Sequence, residues 1–179
     1  MTVGKNQKME MVHGYSIWLM PEPNDGAELG KTIAALSKKL EGPVFPAHLT
    51  IQGQISEGLS SILPKFRSLS EEISPLELTT EMIGTQEAYY RALFYKIEKS
   101  AELEDLNKRA RTSFRRASDP EFFPHVSLLY GSILESEKQK LLPQLETTLP
   151  QTICFTHLVL MKTQGPVDKW ELVEDVELK

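Results

Sequence analysis

The chain of 179 residues has one cysteine, Cys154, so no intrachain disulfide and no thiolate-rich zinc site is possible. It has no excess of positive charge. Lys and Arg number 20 against 25 Asp and Glu, a net charge of −5, so a cationic track along a nucleic-acid backbone is not expected. No run approaches the roughly 20 apolar residues that span a bilayer. The first ten residues lack the apolar stretch of a signal peptide and read as a solvated tail over 1–12. No glycine-rich loop follows a strand-like segment, which weakens nucleotide-fold readings. Low-complexity stretches and long linkers are absent as well. These features point to a soluble cytoplasmic protein, a monomer, with one domain over 13–179. An apolar content of 40% and a charged content of 25% suit a packed globular core.

Hydrophobic periodicity supplies the elements. Tyr15 to Met20 reads as a strand ending at Pro21, and the cluster Pro21 to Gly26 reads as a loop. Leu29, Ile33, Leu36 and Leu40 predict a helix stopped by Gly42-Pro43. His48 to Gly53 predicts a strand. Leu59 to Leu69 predicts a helix despite the internal Pro64. Strands follow over 76–83 and 91–97, with a turn or irregular strand end over 84–90. A helix over 101–116 is broken at Ser118-Asp119-Pro120, and His125 to Tyr130 forms the next strand. A helix over 136–145, a long strand over 152–162, a loop over 164–168 and a last strand over 170–176 complete an α+β chain without βαβ regularity.

One segment occurs twice. Phe45-Pro46-Ala47-His48-Leu49-Thr50-Ile51 matches Phe123-Pro124-His125-Val126-Ser127-Leu128 with one residue skipped. The histidines lie 77 positions apart (125 − 48), as do the hydroxyls (127 − 50). Each copy opens a strand after a helix and a proline, which predicts two lobes of similar build facing each other. In a strand, residues i and i+2 share a face. His48 and Thr50 therefore project together, as do His125 and Ser127, while Leu49, Ile51, Val126 and Leu128 turn into the core. Facing lobes would bring two imidazoles and two hydroxyls into one cleft.

That set suits hydrolysis of a phosphodiester without a metal or other cofactor. One neutral imidazole takes a proton from water, and an imidazolium protonates the leaving oxygen. An imidazole titrating near 6.5 makes both states accessible at neutral pH. The hydroxyls of Thr50 and Ser127 can donate to non-bridging phosphate oxygens. No third His, Asp or Glu stands at a telling metal-ligand spacing. Trp18 shares a strand face with Ser16 and Met20 and is a candidate for core or for stacking on a base. Tyr130 reaches a cleft only if its strand bends or ends near Leu129, which Gly131 would allow. His13 falls in the tail or at a strand edge, and His157 in an alternating strand. Arg109, Arg111, Arg115 and Arg116 crowd one helix end, where a solvated cap outweighs an RNA contact.

The pairs His48-Leu49-Thr50 and His125-Val126-Ser127 resemble the doubled H-x-[T/S] signature of the two-histidine (2H) phosphoesterases. Within that superfamily the chain is most similar to the cyclic phosphodiesterases associated with tRNA splicing in plants and yeast. The added marks are Tyr15 to Trp18 with Pro21, the run Phe123 to Tyr130, and Gly165-Pro166-Val167-Asp168-Lys169-Trp170-Glu171. The resemblance spans about residues 14–176. It implies a bilobal α+β fold whose two pseudo-symmetric antiparallel sheets face a central cleft, with helices outside. It implies His48 and His125 as catalytic residues, with Thr50, Ser127, Tyr130 and Trp18 holding substrate. The implied reactions are hydrolysis of ADP-ribose 1″,2″-cyclic phosphate to ADP-ribose 1″-phosphate and of nucleoside 2′,3′-cyclic phosphates to 2′-phosphates. The implied partner is a small nucleotide or nucleotide-sugar cyclic phosphate, with no stable nucleic-acid complex and no membrane. Two other readings remain open at this point: an RNA-end-processing enzyme of the same superfamily, and a cyclic-nucleotide-binding module without turnover.

Overall fold

The computed structural model describes residues 12–179. Of the tail expected over 1–12, residues 1–11 lie outside the described residues, and Val12 already lines the central cleft. The order of elements is β1 (Tyr15–Pro21), α1 (Pro23–Leu40), β2 (Leu49–Ile55), α2 (Leu59–Glu71), β3 (Leu76–Thr85), a short turn of 3-10 helix (Tyr89–Arg91), β4 (Leu93–Ile97), α3 (Ala101–Ser113), β5 (His125–Leu129), α4 (Glu135–Gln139), α5 (Leu142–Glu146), β6 (Thr152–Lys162), a second 3-10 turn (Val167–Lys169) and β7 (Glu171–Glu177).

The strands run β1-β2-β5-β4-β3-β6-β7, every pair antiparallel. A further pairing of β1 with β6 closes the first six into a ring. The long β6 makes this possible: Thr152 to Phe155 pairs with β3, and Phe155 to Lys162 pairs with β1. The two lobes are therefore halves of one sheet. One half is β2-β1 with the later part of β6 and β7; the other is β5-β4-β3 with the earlier part of β6. Between β2 and β5 a single register pair, Leu49 with Val126, joins them. Strand-helix-strand units β1-α1-β2 and β4-α3-β5 repeat across the seam, and the helices cross over: α1 packs on β5 and α3 on β2. This exchange buries Leu29, Ile33 and Leu36 of α1 and Leu103, Leu106 and Ala110 of α3 in one continuous core.

Three local expectations are corrected. The loop expected over 21–26 is mostly the first turns of α1. Pro23 stands in its opening turn, where a missing N–H costs nothing, and Gly26 N–H already donates to Glu22 O at 2.8 Å. The helix expected over 136–145 is two short helices, because Pro143 in the first turn of α5 cannot donate back to Gln139. The helix expected to reach Arg116 stops at Ser113, and Arg115 takes a left-handed φ of 56°. In α2, by contrast, Pro64 is accommodated, because it and Ser60, whose carbonyl loses its donor, both face solvent. The end of α1 lies close against the end of β5. A Cβ on Gly42 would come within 2.8 Å of Tyr130 O, so only glycine lets this corner close beside the cleft.

Candidate active site

Leu49 and Val126 are the middle residues of the two H-x-[T/S] motifs, and they are register partners at the centre of the pseudo-two-fold arrangement. Both are fully buried on the core side. Antiparallel alternation about that pair sets His48 across from Ser127 and Thr50 across from His125 on the opposite face. All four line one cleft of about 290 Å³, together with Ser16, Trp18, Tyr90, Arg91, Tyr130, Thr163 and Trp170. A larger cavity of about 480 Å³ lies between α1, α5 and the sheet; no histidine lines it.

The neighbouring strands repeat the symmetry. Trp18 stands opposite Thr50 on β1, and Phe94 stands opposite Ser127 on β4. Each histidine is oriented in the same way. His48 Nδ1 lies 2.7 Å from Pro46 O, and His125 Nδ1 lies 2.8 Å from Phe123 O. A carbonyl only accepts, so each Nδ1 carries the proton and donates it, and the neutral ring keeps its Nε2 lone pair free for chemistry. The residue missing from the second copy changes the acceptor from proline to phenylalanine but leaves its spacing of two residues unchanged.

The rings then meet different surroundings. Trp18 stacks on His48 with centroids 3.7 Å apart and planes 13° from parallel. Tyr130 O–H lies 3.4 Å from His48 Nε2, a long contact, and the Tyr130 ring stacks on Phe45 at 3.6 Å. Strand β5 ends at Leu129, which is what lets Tyr130 swing into the cleft. His125 instead meets Phe94 and Phe123 at 5.7 Å each. Arg91 lies over the Phe123 ring, 4.8 Å from its centroid.

Burial dominates the electrostatics. It lowers His48 from 6.5 to about 4, against a raising effect of the Pro46 carbonyl and with a small further push from His125. His125 also falls to about 4, first by burial, opposed by the Phe123 carbonyl and assisted by the Arg91 charge. The expectation of values near 6.5 is thus corrected: burial keeps both imidazoles neutral at neutral pH, because an apolar aromatic surround disfavours the cation. A phosphate between the rings restores a proton to one of them, since negative charge favours imidazolium. Burial also pushes the Tyr130 phenol up, so it remains a donor.

Ser127 Oγ donates to Tyr90 O at 2.9 Å. It must give up that bond to donate to substrate, or meet substrate through its lone pairs from a donor. Thr50 is half-buried and lines the cleft beside Trp18. Trp18 is only 2% exposed, and its ring is engaged by His48 and, edge-on at 5.7 Å, by Trp170. Of the two readings of Trp18, its burial is that of a core ring, while its position remains that of a residue lining the cleft. Its contact is with the histidine, while the half-buried Tyr90 and Trp170, 5.9 Å apart, offer the more accessible aromatic surface.

The remaining sequence candidates lie elsewhere. His13 is exposed, and His157 sits in β6 beside Met20 and Glu177, its Nδ1 3.1 Å from Thr156 Oγ1. The arginine cluster holds the end of α3. Arg109 binds Asp105 and Glu72, Arg116 binds Asp119, and Arg111 donates to the carbonyls of Asp119 and Pro120. Among the described residues no group of three or more His, Cys, Asp or Glu is placed to hold a metal ion. Sequence reasoning missed Tyr90 and Arg91, which ride on the 3-10 turn before β4; neither hydrophobic period nor motif marks that turn.

A family model described as cyclic phosphodiesterase-like protein matches residues 11–178. A curated cyclic phosphodiesterase of Arabidopsis thaliana is 22% identical over 125 residues, covering 70% of this chain and 69% of that protein. Among solved structures, E. coli LigT complexed with 3′-AMP superposes with a TM-score of 0.59 at 16% identity, covering 93% of this chain and 98% of LigT. The Thermus thermophilus protein TT0787 gives 0.61 at 16% identity, with 92% and 97% covered. Two matched H-x-[T/S] motifs at the seam of a closed antiparallel sheet, and a family match over almost the whole chain, lead to one conclusion: the chain belongs to the cyclic phosphodiesterase-like family of the 2H phosphoesterase superfamily.

Proposed function

We propose that the cleft hydrolyses cyclic phosphodiesters of small nucleotides or nucleotide-sugars, with His48 and His125 as its acid–base pair. The substrates proposed are ADP-ribose 1″,2″-cyclic phosphate, opened to ADP-ribose 1″-phosphate, and nucleoside 2′,3′-cyclic phosphates, opened to 2′-phosphates. The observation that carries this reading is the placement of His48 and His125 on one face, on either side of the Leu49–Val126 pair, each with Nδ1 tied to a carbonyl and Nε2 unprotonated.

Water attacks phosphorus as one imidazole Nε2 accepts its proton. The bond from phosphorus to one ring ester oxygen breaks. The other imidazole, protonated at Nε2 through the influence of the bound anion, gives its proton to that oxygen. One phosphomonoester and one hydroxyl result, and the two rings end with their protonation states exchanged. Thr50 and Ser127 hold the non-bridging oxygens and fix the line of attack. Because His48 and His125 flank a pseudo-two-fold axis, the phosphorus belongs near that axis, within reach of both. The solved LigT carries 3′-AMP in one structure and ATP in another. Its fold likeness supports a nucleotide-sized occupant for this cleft.

The test is a turnover assay in EDTA with three substrates in parallel: ADP-ribose 1″,2″-cyclic phosphate, a nucleoside 2′,3′-cyclic phosphate, and an RNA oligonucleotide ending in a cyclic phosphate. Hydrolysis of the first two that survives chelation is expected. Loss of activity in EDTA restored by zinc or manganese would overturn the metal-independent mechanism, and activity on the RNA end alone would replace the small-molecule reading.

A further inference from the structure

Among the described residues, those lining the cleft include no carboxylate, and Arg91 is the one side chain of these with a fixed charge. That is unusual in a chain with net charge −5. Ten of the other seventeen described arginines and lysines sit in ion pairs, but no described carboxylate lies within ion-pair distance of Arg91. Its Nε donates to Gln86 Oε1 at 2.6 Å, and its guanidinium lies over Phe123. Gln86 is itself held: its carbonyl accepts from Lys138 Nζ at 2.8 Å, and Lys138 is 1% exposed and also paired with Glu135 at 2.7 Å. Glu135 in turn accepts from Thr85 Oγ1, so α4 holds two successive residues, Thr85 and Gln86, where the chain leaves β3. A buried ammonium thus holds the backbone carbonyl of the residue whose side-chain amide oxygen orients Arg91.

We infer that Arg91 is a phosphate-binding residue of the cleft, supplying the counter-charge for the substrate's phosphoryl oxygens, with Gln86 and Lys138 as its positioning residues. Three observations support this. A half-buried guanidinium without a carboxylate is costly unless an anion joins it. The Gln86 bond uses only Nε, which leaves the Nη donors for a phosphate, whose oxygens match that fork. And the Arg91 charge already acts on His125, so an anion placed against His125 lies within its reach. Among the described residues no Lys or Arg of the first lobe lines the cleft, so Arg91 supplies its charge from the side of His125. The inference rests on the reading that the cleft receives phosphate.

Binding of inorganic phosphate to the full-length protein, by calorimetry together with NMR titration of both imidazoles, provides the test. Arg91→Gln should weaken phosphate about 10- to 100-fold, the effect of losing a hydrogen bond to a charged group. It should also raise the His125 titration midpoint in the phosphate-free protein while leaving that of His48 in place. Arg91→Lys keeps a cation without the fork and should bind with intermediate affinity. Wild-type affinity for phosphate in both variants would overturn the inference. Turnover is read separately. A wild type that opens cyclic nucleotides, but whose phosphate affinity ignores Arg91, sinks this inference alone. One whose phosphate affinity depends on Arg91, but which turns nothing over, sinks the hydrolase reading alone.

Discussion

The two halves of the site share a backbone and differ in their surroundings. In both, a histidine at the start of a strand ties Nδ1 to a carbonyl two residues back, at 2.7 Å and 2.8 Å, and a hydroxyl follows two residues on. In both, an aromatic residue of the neighbouring strand faces that hydroxyl: Trp18 opposite Thr50, Phe94 opposite Ser127. Around His48, however, the contacts are aromatic and neutral, with Trp18 stacked on the ring and the Tyr130 hydroxyl near Nε2. Around His125 the nearest charge is the Arg91 guanidinium. The repeat therefore fixes tautomer and aim, and the neighbours supplied by unrepeated segments make the two rings unequal. An acid–base pair needs that inequality, because one ring must be charged while the other is neutral.

The strongest way to break the comparison is to remove one ring at a time. His48→Ala and His125→Ala should each lower turnover by about 10²–10⁴, the usual scale for a general acid or base. The double variant should fall little further than the worse single one, since the pair acts as a unit. Steady-state kinetics on a cyclic nucleotide checks this.

Next come the hydroxyls. Thr50→Ala and Ser127→Ala should each cost about 1.5–3 kcal/mol in kcat/KM, as for a hydrogen bond to a charged group. The comparison predicts a difference in kind. Ser127→Ala also removes the bond by which β5 holds the 89–91 turn, so hydrogen exchange should rise over that turn in that variant and not in Thr50→Ala.

Of the two histidines, the Tyr130 hydroxyl reaches only His48, through a contact of 3.4 Å. Tyr130→Phe should cost less than about tenfold in kcat/KM, since so long a hydrogen bond is weak. By NMR it should move the His48 midpoint while leaving that of His125 unchanged.

A separate effect, read in folding and not in turnover, is on stability in acid. Both histidines titrate at about 4 when folded and at 6.5 when unfolded. As pH falls below 6.5 the unfolded chain takes up protons that the folded chain refuses, so stability declines until the folded rings also protonate near 4. Above 6.5 neither state binds the proton, and these groups give no pH dependence. Urea midpoints at pH 7 and pH 5 should therefore differ more in wild type than in the double alanine variant. An equal difference in both would place the acid sensitivity elsewhere.

Much of this site can be read from short-range pattern alone. The duplicated motif names its own four residues, and strand alternation assigns Thr50 to the face of His48 and Leu49 to the core. Tyr130 could be placed only through the end of β5, a boundary that Gly131 marks weakly. Arg91 and Tyr90 were not legible, because they sit on a turn without hydrophobic period and owe their position to Gln86 and to Lys138, 47 positions further on (138 − 91). The closed ring was hidden for a similar reason. The β1–β6 pairing joins Tyr15 to Lys162, and nothing local in either strand announces its partner. The imidazole values also depend on packing by Trp18, Phe45, Phe94 and Phe123, which converge only in the folded chain.

The pH–rate profile tests the division of labour between the two histidines most directly. In wild type, kcat/KM for a cyclic nucleotide should trace a bell whose two limbs both lie below the free imidazole value of about 6.5, since that ratio reports the free enzyme, where burial holds both rings down. The profile of kcat should lie at higher pH, because bound phosphate raises both values, and its limbs belong to the pair. His48→Ala and His125→Ala should each erase one limb, and not the same one, which identifies the base and the acid. A profile flat from pH 5 to 9, or loss of the same limb in both variants, would contradict the claim that the two halves act as base and acid.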